Sequence, residues 1–96
     1  MVRLQIISDR DNIIPVIQDA IEAKRKRMEI GFRKTEKEIQ RFEIKYNISS
    51  DKFLASCTAE DLAGGDEDYI SWMGELKLRD AILEEMQAIS EIEYIS

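Results

Sequence analysis

Apolar and polar residues alternate in several distinct rhythms along the chain. Val2, Leu4 and Ile6 alternate with Arg3 and Gln5, the period-two pattern of a short strand or an N-terminal arm. Ser8-Asp9-Arg10-Asp11-Asn12 is polar and rich in helix-capping residues, and Pro15 suits a first helical turn. From there to Tyr46 no strong helix breaker appears. Ile14, Ile21, Met28, Thr35 and Phe42 recur every seventh position, with Phe32, Ile39 and Tyr46 joining the same stripe. The pattern predicts a helix over 12–46, about 50 Å long.

Asn47 suits a helix stop, because it tolerates a left-handed backbone. Ser49 or Ser50 then caps a short helix over 50–57 that carries Phe53, Leu54 and Cys57. Gly64-Gly65 reads as a turn. Asp66 is the expected cap of a third helix over 67–92, with Glu67 and Asp68 in the first turn, where the helix dipole favours negative charge. Tyr69, Trp72, Met73, Leu76, Leu83 and Met86 form its stripe, and Leu78, Ile82, Ile89 and Ile92 widen it. The expected fold is all-α. A long antiparallel helical hairpin encloses a short intervening helix, behind an arm at 1–11 that includes a possible strand.

Composition narrows the function. In 96 residues there is no His and one Cys. Intrachain triads with His, His-ligated metals, Cys zinc clusters and disulfides are excluded. Asp66, Glu67 and Asp68 lack the spacing of a calcium loop, and helix capping accounts for them. Ser49-x-x-Lys52 has no companion motif of the penicillin-recognising enzymes. No catalytic residue, metal or cofactor is expected. No apolar run approaches the ~20 residues a bilayer needs, and no signal peptide is read, so a cytoplasmic location without membrane contact is expected.

The net charge of −6 is divided unevenly. Residues 1–48 carry 11 basic and 8 acidic side chains, or +3; residues 49–96 carry 3 and 12, or −9. Two readings follow: the halves pack on one another, or the acidic half meets a basic partner. Candidate partner-binding residues are Asp66, Asp68, Tyr69, Trp72, Met73 and Leu76, aromatic and Met anchors with a charged rim. The same aromatic residues suit a small core equally well. Ile14, Ile21, Met28, Phe32, Ile39, Phe42, Leu83 and Met86 form the candidate core or oligomer stripe, broad enough to suggest a homodimer. Lys24, Arg25, Lys26 and Arg27 are the candidate nucleic-acid contacts, although consecutive helical residues point in different directions. Glu22–Lys26 and Glu29–Arg33 are spaced for ion pairing along the helix.

The stretch from Phe42 to Leu54, followed by Asp66-Glu67-Asp68-Tyr69-Ile70-Ser71-Trp72, resembles a group of small helical proteins of archaea and cyanobacteria. Their pattern is F-E-x-K-Y-x-[MI]-S-S-[ED]-x-F-L, an acidic turn, then D-[EIV]-D-[YF]-x-x-W and a final amphipathic helix. Tyr46, Ser49, Ser50, Phe53, Asp66, Asp68, Tyr69 and Trp72 match, and the resemblance covers about residues 36–90. Lys52 and Thr58–Gly65 depart from it. Such proteins are often the antitoxin-like members of toxin–antitoxin pairs. The resemblance therefore implies a non-catalytic regulator that binds a partner protein such as a basic toxin. The alternatives are an oligomerisation module without a toxin and a ribbon-helix-helix-like autoregulator that binds DNA.

Overall fold

The structure, a computed structural model, describes residues 2–8 and 10–95. It is mostly helical. In chain order the elements are β1 (Val2–Gln5), α1 (Ile13–Tyr46), α2 (Ser50–Ser56), a single 3-10 turn (Ala59–Asp61), α3 (Gly65–Ser90) and β2 (Ile92–Ile95). Met1 and Asp9 of the expected arm lie outside the described residues.

The 34 residues of α1 run unbroken, and α3 folds back to pack along it. Asn47 ends α1 with φ 53°, and its N–H bonds the Glu43 carbonyl. The left-handed turn at Asn47 is what the sequence indicates. Ser49 accepts a hydrogen bond from the Lys52 N–H and caps α2. At the far side of the turn the expectation is corrected. α3 starts at Gly65, two residues before Glu67, and Gly64 takes the cap position instead of Asp66. Gly65 has φ +60°, a conformation that a Cβ disfavours. Asp66, Glu67 and Asp68 all fall in the first turn of the helix.

The C-terminal end is also corrected. α3 stops at Ser90, and Ile92–Ile95 form β2, paired in parallel with β1. Val2 stands opposite Ile92 and Gln5 opposite Ile95. Ile92, at the start of the strand, is β-branched, a residue type that favours extended backbone. The strand reading at the N-terminus therefore corresponds to β1, and its partner is the other end of the chain.

Packing is unequal along the rod, which measures 60 × 21 × 17 Å. Its radius of gyration of 19.0 Å far exceeds the ~13 Å of a compact chain of this size. Ile39, Phe42, Phe53, Leu62, Trp72 and Leu76 form one buried cluster at the end where the chain turns. Toward the open end the same heptad stripe loses its cover. Ile14, Ile21, Phe32 and Met86 are only half-buried, and Leu83 is exposed. Met28 and Thr35 continue the buried line between the two regions.

Gly31 sits mid-helix, where glycine weakens α1 by leaving its backbone too free. A Cβ there would meet Ile82 Cδ1 at 3.7 Å, ordinary contact. Gly31→Ala is expected to raise unfolding free energy by about 1 kcal/mol, and Gly65→Ala to lower it by about the same amount. Chemical denaturation of the two variants checks both signs.

Candidate functional site

Trp72 is the centre of an aromatic cluster to which α1, α2 and α3 all contribute. It is fully buried on α3. Phe53 of α2 stacks on it at 4.0 Å and 5°. Phe42 and Tyr46 of α1 stack at 5.6 and 6.0 Å. The indole N–H donates to Ser50 Oγ at 3.0 Å, and the Ser50 backbone N–H donates to Glu43 Oε2 at 2.9 Å. Tyr69 tilts against Phe53 at 5.3 Å. Each helix thus places an aromatic ring or a hydroxyl around one indole.

A polar clasp lies beside this stack. The Tyr46 hydroxyl donates to Asp68 Oδ2, Lys45 Nζ donates to the same oxygen at 2.6 Å, and the Gly64 N–H donates to the Tyr46 oxygen at 2.9 Å. The clasp explains the glycine at 64: a Cβ there would collide with the Asp68 carboxylate and stand 2.8 Å from the Tyr46 hydroxyl. The hydrogen bonds from Lys45 and Tyr46 hold the Asp68 carboxyl below its ordinary range, and Asp68 in turn raises the Lys45 ammonium.

These contacts reassign the expected partner-binding residues. Trp72 and Leu76 are core, with 0% and 3% exposure, and present no surface to a partner. Asp68 is committed to Lys45 and Tyr46. Tyr69 and Met73 are half-buried against the core. Only Asp66 of the six is exposed. Trp72 and Ile70 stand two positions apart and so face different sides of α3. The side that remains outside carries Ile70, 68% exposed, with exposed Asp66 and Glu67 one turn before it. Leu62, buried under the turn, and Ile70 were not singled out by the stripe. A lone leucine in a loop carries no periodicity, and Ile70 is masked by its larger neighbours.

The basic run does not form one patch. Lys24, Lys26 and Arg27 are exposed, whereas Arg25 lies along the helix surface, paired with Glu22 and reaching Glu29 at 3.5 Å. Arg25 replaces Lys26 and Arg33 as the partner of those two carboxylates, and its hydrogen bond holds the Glu22 carboxyl below its ordinary range. A shallow depression of about 310 Å³ lies further along α1, lined by Ile30, Arg33, Lys34 and Lys37. Between the helices the charges pair in both directions, Lys45 with Asp68 and Arg79 with Glu36 at 3.3 Å. No helix among the described residues is long and apolar enough to cross a membrane. No family model, curated protein or solved structure matches the chain.

Asp68 supplies a pH test. A carboxyl held below its unfolded value stabilises the fold at higher pH, and that stabilisation fades as pH falls through its folded value. The stability difference between wild type and Asp68→Asn is therefore expected to be largest above about pH 5 and to shrink below about pH 4. Thermal unfolding of both proteins between pH 2 and 7 measures it.

Proposed function

We propose that this chain is a non-catalytic regulator that binds a basic partner protein through the acidic start of α3. The observation that carries the reading is Ile70, a large apolar side chain 68% exposed beside exposed Asp66 and Glu67. An apolar anchor inside a charged rim suits protein recognition: the anchor supplies desolvation and the rim supplies steering. The helix turn that bears it stands over the Trp72 stack, so little ordering entropy is lost on binding. The antitoxin-like role belongs to this proposal through the resemblance carried by Tyr46, Ser50, Phe53 and Trp72, and its partner would be a small basic toxin.

A second reading has its own observation. Arg33, Lys34 and Lys37 line the outward depression on α1 and suit phosphate groups of a nucleic acid. Such a surface is displaced by two turns from the run Lys24–Arg27. The ribbon-helix-helix version fits less well, since α1 is 34 residues long and that fold has a short first helix.

Co-expression with the product of the adjacent gene, followed by co-purification, tests the first reading. Ile70→Asp and the pair Asp66→Lys with Glu67→Lys are expected to weaken capture about tenfold or more. The charge reversal also lowers stability by about 1 kcal/mol, because the helix dipole favours carboxylates in that turn, so capture is compared well below the melting transition. Capture that ignores these changes, or no capture, would overturn the first reading; binding of the gene's own promoter that is lost in Arg33→Glu with Lys37→Glu would support the second.

A further inference from the structure

The open half of the hairpin has one side that is complementary to itself. On α1, Lys24, Arg27, Gly31 and Lys34 follow one another by three or four residues and so form one stripe. The three cations are exposed and make no ion pair among the described residues. On α3, Leu78, Ile82 and Glu85 form a stripe by the same spacing. Leu78 is 49% exposed, and the Glu85 carboxylate is likewise exposed and makes no ion pair among the described residues. The two stripes border one seam, because Ile82 Cδ1 ends 3.7 Å from where a Gly31 Cβ would stand. In an antiparallel pair, one turn back along α1 is one turn forward along α3. Arg27 therefore lies at about the level of Glu85.

We propose that this face docks a second copy of the chain. A two-fold axis parallel to the helices lays α1 of each subunit on α3 of the other. Arg27 then faces Glu85 of the partner subunit, and the contact is made twice. Leu78 and Ile82 then lie at about the level of Gly31 of the partner subunit and add apolar area to the contact. An axis across the helices would place α1 on α1, cation against cation, and is disfavoured by repulsion. A second copy supplies, on one surface and in register, a carboxylate at the level of Arg27 and a cation at the level of Glu85. The strip is two helices wide and about 15 Å long, below the ~800 Å² per partner of a standard interface. The dimer is therefore reversible and salt-sensitive. This surface is separate from the acidic start of α3, so the two proposals fail independently.

Sedimentation equilibrium over a range of concentrations tests the dimer on the full chain. A monomer–dimer equilibrium that weakens with added salt is expected. Arg27→Glu and Glu85→Arg are each expected to raise the dimer dissociation constant about tenfold or more, and the double variant to restore it to within a few fold. Leu78→Lys is expected to abolish the dimer. Circular dichroism and Trp72 fluorescence confirm that each variant is folded. A chain that stays monomeric, a dimer indifferent to both single reversals, or a double variant as weak as the singles would overturn the proposal.

Discussion

The fold depends on the burial of one indole. Trp72 is the only tryptophan, and it is the place where α1, α2 and α3 meet. A tryptophan withdraws on the order of 200 Å² from water, which at about 25 cal/mol per Å² is about 5 kcal/mol, before any stacking is counted. Its N–H is matched by Ser50, so the polar tip is not stranded. Without that hydroxyl the indole nitrogen would be buried unpaired, at a cost of about 1–3 kcal/mol. The short helix α2 owes its position to this arrangement: seven residues are too few to hold a helix by themselves, and Phe53 lying flat on the indole anchors them.

The same constraint explains why the molecule is uneven. One stack serves the end where the chain turns, while α1 continues for about 50 Å. Beyond Met28 the helices keep their heptad stripes but have only each other to cover them. Two helices can bury a seam and not a wide face, so Ile14, Ile21 and Met86 stop at half burial. The short parallel pair β1 and β2 closes the open end by tying the two chain ends together. A two-stranded sheet adds little stability by itself. The rod therefore has a firm end that positions Ile70 and a looser half whose side faces are open to association.

Much of this was legible in the sequence. The spacing of Ile14, Ile21, Met28, Thr35 and Phe42 specifies a long helix, and Asn47 and Ser49 specify where it stops and the next begins. Local chemistry decides those features, so local reading finds them. The contacts across the turn are different. Tyr46 reaches Asp68 over 22 positions, and Trp72 reaches Ser50 over the same distance. No periodicity announces a hydrogen bond of that span. The stripe also places Trp72 correctly on an apolar face without revealing whether that face is covered. Read as a possible anchor, it is the core, and the large apolar residue left exposed beside it is Ile70. Ile92 extended the apolar pattern of α3 and hid the switch from helix to strand after Ser90.

Amide hydrogen exchange tests the keystone role of Trp72 most directly, read residue by residue at a concentration where the chain is monomeric. The account requires the slowest exchange in 39–46 and 69–76, flanking the indole, with protection declining steadily along 13–25 and 82–90. Equal protection from one end of the hairpin to the other, or greatest protection in the open half, would contradict it.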